Sequence, residues 1–180
     1  KERLKKMRTT VDVLSMSATP IPRSLQMGLS GLRDMSIMAT PPQDRLSVRT
    51  SVATFKRSRV RDAIINELKR KGQVFFIHNR VQTIARTAER LRRWVPEASF
   101  EVAHGQMDTD ALEDILVRFL RREFDVLVCT SIMETGIDMP NVNTILIDQA
   151  DRFGLAQLYQ LRGRVGRSNV RASCLLLTPE

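Results

Sequence analysis

The sequence predicts an α/β fold in which a parallel sheet carries helices on both faces. From residue 48 onward, short apolar runs alternate with longer stretches whose apolar residues recur every three or four positions. This is the pattern of strands alternating with helices. Several runs, such as 73–78 and 125–129, are apolar almost without interruption. Such runs are typical of strands buried on both faces of a parallel sheet.

From residue 48, the predicted order is strand, helix, strand, helix, strand, helix, strand, loop, strand, helix and strand. The predicted strands cover 48–55, 73–78, 99–103, 125–129, 143–148 and 171–178. The residues of the first strand alternate between two faces. The first helix covers 58–71, and Gly72 is expected to end it.

The remaining helices are predicted from their apolar spacing. On the inner face of the second helix we predict Val81, Ile84, Ala88 and Leu91. On its outer face we predict Arg86, Arg90, Arg92 and Arg93. The third helix is capped by residues 108–110 and has an inner face of Leu112, Ile115, Leu116, Phe119 and Leu120. A short fourth helix is predicted to have one apolar face, formed by Leu155, Leu158 and Leu161.

Composition narrows the class of partner. The 180 residues include 29 Lys plus Arg against 20 Asp plus Glu, a formal net charge of +9, which favours a polyanion. A solvated basic surface has the same composition. Aromatic residues make up only 5% of the chain, so contacts to backbone phosphates are favoured over base stacking.

The cysteines, the apolar runs and the first residue bear on where the protein works. Cys129 and Cys174 lie in apolar strand-like runs without metal-ligand spacing, so we predict buried reduced thiols, no metal site and a cytoplasmic protein. No apolar run approaches the ~20 residues of a membrane span, and no signal peptide opens the chain. Because the chain starts at Lys1 within a charged segment, we expect it to be a fragment.

A glycine- and arginine-rich segment at 157–168 is the strongest candidate for a functional site. It contains Arg162, Arg164 and Arg167 among Gly163 and Gly166. Glycines let the backbone approach a ligand closely, and guanidinium groups bind anions with fixed, often bidentate geometry. A polyphosphate suits such a cluster, because an inserted arginine accelerates phosphoryl transfer by roughly 10³–10⁵. A basic surface loop is equally compatible with these residues alone.

The spacing Gln160-x-x-Gly163-Arg164-x-Gly166-Arg167 resembles motif VI of superfamily-two helicases, Q-x-x-G-R-x-G-R. Segments 153–157 and 19–42 resemble the bacterial transcription-repair coupling factors, with the fork-remodelling RecG helicases a close second. The resemblance covers essentially the whole chain. It implies a RecA-like fold, with 1–40 as the tail of a first RecA-like ATPase domain, 41–47 as a proline-containing linker and 48–180 as the second.

Further segments carry the same resemblance, although each also fits an ordinary strand-ending turn. The segment 17–19 resembles motif III, which couples nucleotide state to nucleic-acid contact, through Ser17, Ala18 and Thr19. Motif IV, an H-G-x-M loop and motif V imply contacts to nucleic acid by Asn79, Arg80, His104, Thr130 and Ser131. Motifs V and VI imply ATP binding and coupling by Gly136, Asp138, Gln160 and Gly163.

The resemblance implies that Arg164 and Arg167 act as arginine fingers on ATP held by the missing domain, whereas Arg162 falls on a variable motif position. The sequence contains no G-x-x-x-x-G-K-[ST] phosphate loop, and without one 148–151 is rejected as a magnesium-binding acidic box. ATP and Mg²⁺ are therefore expected in the intact protein and not on this chain alone, which we predict to be inactive.

The implied function is an ATP-dependent translocase on double-stranded DNA that displaces stalled RNA polymerase and couples transcription to nucleotide-excision repair. RNA polymerase and UvrA would be bound through regions outside this chain, in the bacterial cytoplasm and away from any membrane. Two alternatives stay open. One is a RecG-type fork helicase, and the other is a nonenzymatic nucleic-acid-binding module with a RecA-like fold.

Overall fold

The computed structural model describes residues 36, 46–130, 139, 141–166 and 170–179. The chain divides into two units, Lys1–Ala39 and Thr40–Glu180, and every element below belongs to the second. The predicted tail of a first domain and most of the predicted linker therefore lie outside the described residues.

The described elements follow the predicted order. The strands are β1 (Arg49–Thr54), β2 (Gln73–Ile77), β3 (Phe100–Ala103), β4 (Val126–Cys129), β5 (Val142–Ile147) and β6 (Ser173–Thr178). The helices are α1 (Arg57–Lys69), α2 (Val81–Trp94), α3 (Thr109–Leu120) and α4 (Leu155–Arg162), and a 3₁₀ turn at Ala150–Arg152 precedes α4. The strands form one sheet in the order β1-β6-β5-β2-β4-β3, and every neighbouring pair is parallel.

The two faces of the sheet bury separate cores. Phe75 and Ile77 of β2 pack with residues of α3 and α4, whereas Val74 and Phe76 pack with residues of α1 and α2. Successive side chains of a strand point to opposite faces, so β2 contributes to both cores. Every residue of β2, β4 and β5 is buried. The predicted α/β fold, a parallel sheet with helices on both faces, is confirmed.

The first strand shows where alternation misleads. β1 lies at the edge of the sheet and pairs only with β6 among the described strands. Its first four residues are exposed, and Val52 is 68% exposed although it belongs to an alternating run. An edge strand can expose residues of both faces, so the alternation of 48–55 marks the strand without marking a buried side.

Three helix-face predictions are wrong. Leu120 is 40% exposed and Leu155 is 86% exposed, although both were predicted to face inward. Leu120 ends α3 and Leu155 begins α4, and the described part of the chain does not cover these helix ends. Arg90, predicted to face solvent, stacks over the rings of Phe55 and Trp94 at 4.5 and 5.1 Å. Such stacking buries an arginine stem while its charge is retained.

Gly72 is required for a different reason from the one predicted. Helix α1 ends at Lys69, and the left-handed residue after it is Lys71, with φ of 58°. A Cβ atom at position 72 would overlap Oε1 of the fully buried Glu67. The other carboxylate oxygen of Glu67 accepts hydrogen bonds from Arg70 and from Thr144 of β5. Gly72 therefore leaves room for a buried carboxylate that joins α1 to the sheet.

Cys129 and Cys174 are free, buried thiols, as predicted. Burial raises the pKa of Cys129 to about 12, and it raises the pKa of Cys174 to about 11 against a smaller opposing effect of Arg162. No helix among the described residues is long and apolar enough to cross a membrane.

These thiols give the stability of the fold an alkaline limit. As pH rises above ~8.5, thiols of the unfolded chain ionise while the buried thiols stay protonated. The folded state is then disfavoured progressively, from about pH 9 until the folded pKa values are reached. We expect the urea midpoint to fall over this range more steeply for the wild type than for a Cys129→Ala, Cys174→Ala double variant. Equal pH dependence in the two proteins would contradict the conclusion that these buried thiols stay protonated in the folded state.

Candidate functional site

The predicted site residues that the structure describes lie at two places, the carboxyl edge of the sheet and the turn after α4. Because all six strands are parallel, their carboxyl ends meet at one edge, which is where open α/β sheets bind ligands. Asn79 and Arg80 follow β2, His104 follows β3, and Thr130 follows β4. The fold therefore brings the predicted nucleic-acid contacts of three strands to the same edge.

A cavity of about 160 Å³ opens at this edge between the ends of β2 and β5. It is lined by His78, Asn79, Arg80, Gln149 and Arg152. The strand order explains its position. The chain leaves β2 towards β3 in one direction along the sheet and leaves β5 towards β6 in the other. A crevice forms where neighbouring strands have connections that diverge in this way.

The buried His78 side chain, which lines the cavity, is held by two hydrogen bonds. Nδ1 of His78 lies 2.7 Å from Oδ2 of Asp148, and Nε2 lies 2.7 Å from Oγ1 of Thr83 in the first turn of α2. His78 is 4% exposed and Asp148 is 5% exposed. The backbone amide of Asp148 donates to the carbonyl of Ile77. These contacts tie the ends of β2 and β5 to the start of α2.

The same contacts bear on magnesium. The Asp148 carboxylate is hydrogen-bonded to His78 inside the protein. The part of the chain that the structure describes contains no group of three or more His, Cys, Asp or Glu side chains able to hold a metal ion. The described residues therefore do not form a site that would hold Mg²⁺ through protein side chains alone.

Thr130 and His104 lie at the carboxyl edge but do not line the cavity. Thr130 is 7% exposed, and its backbone amide donates to the carbonyl of Ala103 at 3.3 Å. His104 is half-buried, and its backbone amide contacts the sulfur of Met107 at 3.4 Å. Nδ1 of His104 has no hydrogen-bond partner among the described atoms.

The arginine-rich segment begins as the predicted short helix. The amide of Gly154 donates to Oε1 of Gln157 at the start of α4, and the helix ends at Arg162. The backbone amide of Arg164 donates to the carbonyl of Leu161 at 3.0 Å, which continues the chain into a turn after α4. The Arg162 guanidinium stacks over the ring of Tyr159 at 4.4 Å.

The turn after Arg164 is anchored in the core. Val165 is fully buried, and Gly166 has φ of +78°. A Cβ atom at position 166 would lie 3.1 Å from Val48 Cγ2 and 3.2 Å from Ala172 Cβ. Both the backbone conformation and the space therefore require glycine here.

Gly166→Ala is accordingly expected to destabilise the protein by about 1–3 kcal/mol, because alanine must adopt a left-handed backbone in a tight space. Gly163→Ala is the matched control. Its φ is −68°, and an added Cβ would make ordinary contacts at 3.4 and 3.5 Å. Chemical denaturation of the two variants tests the difference, and similar losses in both would contradict the role assigned to Gly166.

Comparison with known proteins adds the family. Residues 56–169, more than half of the chain, match the helicase conserved C-terminal domain. The chain belongs to this family. It is 54% identical over 179 residues to the transcription-repair-coupling factor of Myxococcus xanthus, covering 99% of this chain and 15% of that protein. It is 55% identical over 179 residues to the protein of the same name from Escherichia coli K12, with coverage of 99% and 16%.

A solved structure of RecG bound to a three-way DNA junction is also similar, with 35% identity and a TM-score of 0.79. That match covers 94% of this chain and 23% of RecG. The predicted resemblance to coupling factors, with RecG as a near relative, and the RecA-like fold are thus confirmed. The chain spans about a sixth of the length of the curated relatives it matches.

Two residues that line the cavity, Gln149 and Arg152, were not among the predicted site residues. Gln149 lies in the stretch 148–151 that was rejected as a magnesium-binding acidic box, and Arg152 directly follows that stretch. Seven predicted residues lie outside the described part of the chain, and the structure gives no account of Ser17, Ala18, Thr19, Ser131, Gly136, Asp138 and Arg167.

Proposed function

We propose that this domain is the second motor domain of an ATP-dependent translocase on double-stranded DNA, which displaces stalled RNA polymerase and couples transcription to nucleotide-excision repair. One observation carries most of the weight. In a chain 54% identical to a coupling factor, the motif IV residues Asn79 and Arg80 open onto a cavity at the ligand-binding edge of the sheet. The net charge of +9 supports a polyanionic partner.

The ATP-dependent part of the proposal concerns the arginine segment. Arg164 and Arg167 would reach ATP bound to another RecA-like domain and stabilise the charge that develops on the transferred phosphoryl group. Gln160 and Gly163, together with Gly136 and Asp138 of motif V, would couple nucleotide state to domain movement. The other domain would hold ATP and Mg²⁺, since this sequence has no phosphate loop. The chain alone would then be inactive.

The DNA-dependent part concerns the carboxyl edge. Asn79, Arg80, His104 and Thr130, with Ser131 beside it, would contact the DNA backbone, and 17–19 would couple those contacts to nucleotide state. The low aromatic content supports backbone contact rather than base stacking. RNA polymerase and UvrA would bind regions outside this chain. The names of the relatives at 54 and 55% identity support the repair role, and both relatives are bacterial. The proposed setting is the bacterial cytoplasm.

A RecG-type fork helicase is the second candidate. The similarity to RecG bound to a three-way DNA junction favours it. Identity of 35% to RecG against 54% to a coupling factor ranks it lower. A nonenzymatic nucleic-acid-binding module is the third, and it predicts no ATP-dependent activity in the full-length protein.

Three assays on the full-length protein separate these functions. We expect ATP-dependent displacement of a triplex-forming strand from duplex DNA, which reports translocation, and ATP-dependent release of RNA polymerase from a stalled elongation complex. Fork regression without polymerase release would establish the RecG-type role instead. Duplex binding with none of the three activities would support the nonenzymatic module.

A further inference from the structure

We propose that Gln149 and Arg152 complete a binding site for one phosphate of the DNA backbone in the cavity that they share with Asn79 and Arg80. The inference rests on the proposed function, because DNA is the source of the phosphate. The motif IV resemblance predicts a DNA contact only by Asn79 and Arg80, after β2. The proposed site adds two residues that follow β5.

The charge distribution favours an anion. Four other arginines are paired with carboxylates, in the pairs Arg61–Glu97, Arg70–Glu67, Arg92–Glu89 and Arg118–Glu101. Arg80 and Arg152 are exposed, and neither has an ion-pair partner within the described ranges. Of the two acidic residues beside Gln149 and Arg152, Asp148 is buried and hydrogen-bonded to His78, and Asp151 is exposed without an ion pair to Arg152. Arg80 and Arg152 thus line the cavity with no carboxylate within ion-pair distance among the described residues.

Backbone conformation and hydrogen bonds hold the segments that carry these groups. Gln149 has φ of 51°, a left-handed conformation that a non-glycine residue adopts only where the surroundings impose it. The amide of Arg152 donates to the carbonyl of Gln149 at 2.9 Å, so the two residues share one turn. On the other wall, the contacts from His78 to Asp148 and Thr83 fix the backbone that carries Asn79 and Arg80.

The size and chemistry of the cavity select the ligand. Its volume of about 160 Å³ is well below the ~300–1,000 Å³ of ordinary small-molecule sites, so it suits one phosphate rather than a whole nucleotide. Guanidinium groups bind phosphate oxygens in bidentate fashion, and side-chain amides donate further hydrogen bonds. A backbone phosphate fits this set because it presents oxygens without a base that must also enter.

The test measures binding of the full-length protein to duplex DNA over a range of salt concentrations. Each phosphate contact contributes about 0.9 to the slope of log affinity against log salt. We expect Arg152→Gln and Arg80→Gln each to weaken binding and to lower that slope by up to about 0.9, the contribution of the one phosphate that both residues contact. Arg152→Lys, which keeps the charge, should recover the slope but not the full affinity, because lysine loses the bidentate geometry.

Arg121→Gln is the matched control. Arg121 is an exposed arginine directly after α3, and α3 leads into the amino end of β4, at the opposite edge of the sheet. Its substitution removes the same charge and should leave the slope unchanged. An Arg152→Gln protein that behaves like this control, while Arg80→Gln lowers the slope, would overturn the inference and leave the proposed function standing.

Two further outcomes are informative. One distinguishes a nucleotide phosphate from a DNA phosphate, and the other distinguishes failure of this site from failure of the proposed function. Loss of ATP affinity in Arg152→Gln, with DNA affinity unchanged, would assign the site to a nucleotide phosphate and overturn the DNA assignment. A wild-type protein that fails to bind duplex DNA would overturn the proposed function itself.

Discussion

Replacing Arg164 with alanine in the full-length protein is expected to lower DNA-stimulated ATP turnover by roughly 10³-fold or more, with ATP binding retained. An arginine finger stabilises charge that appears only in the transition state, so its removal lowers kcat more than it weakens ground-state binding. Arg164 is half-buried in the first turn after α4 and precedes the buried Val165 and the left-handed Gly166.

Arg162→Ala is the control for this experiment. The Arg162 guanidinium stacks on Tyr159 of its own helix, so we expect turnover close to that of the wild type. Arg167→Ala, outside the described residues, is expected to resemble Arg164→Ala. Near-normal turnover in both Arg164→Ala and Arg167→Ala would move these arginines to the DNA contact surface, and a lowered salt dependence of DNA affinity would then be expected.

Phe119→Ala is expected to destabilise the fold by about 3–5 kcal/mol, the loss usual for truncating a buried aromatic residue. Phe119 of α3 is fully buried, and its ring lies 5.0 Å from that of Phe124 and 5.5 Å from that of Phe75. Its carbonyl also accepts a hydrogen bond from the buried Gln73 at 2.8 Å. The substitution would therefore open a cavity where α3 packs on the centre of the sheet.

Urea denaturation of the chain measures this loss, with Leu120→Ala as the neighbouring control. Leu120 is 40% exposed, so its truncation is expected to change stability by only about 0.5 kcal/mol or less. Equal losses in the two variants would mean that α3 presents a different face to the sheet.

The centre of the fold was predictable because its strands are buried on both sides. The runs that became β2, β4 and β5 are apolar at nearly every position, and a parallel sheet under two layers of helices accounts for them. Helix ends and the edge strand were less predictable. Leu155 and Val52 continue an apolar pattern but lie exposed, since periodicity within an element does not state where the neighbouring element stops.

The candidate site was predictable only as far as single motifs reach. Asn79 and Arg80 follow an evident strand and resemble motif IV, so the sequence located one wall of the cavity. The other wall, Gln149 and Arg152, depends on β5 lying beside β2. Strand order follows from the crossovers, not from any local pattern. The pairing of His78 with Asp148 was not predictable for the same reason.

The most direct test of the proposed motor role compares two ligands of the full-length protein. Affinity for ATP and for ADP with aluminium fluoride, which mimics the transition state of phosphoryl transfer, would be measured for the wild type and for Arg164→Ala. We expect the variant to keep ATP affinity within a few-fold and to lose roughly 10³-fold in affinity for the transition-state mimic. An equal loss for both ligands, or no loss for either, would contradict the assignment of Arg164 as an arginine finger.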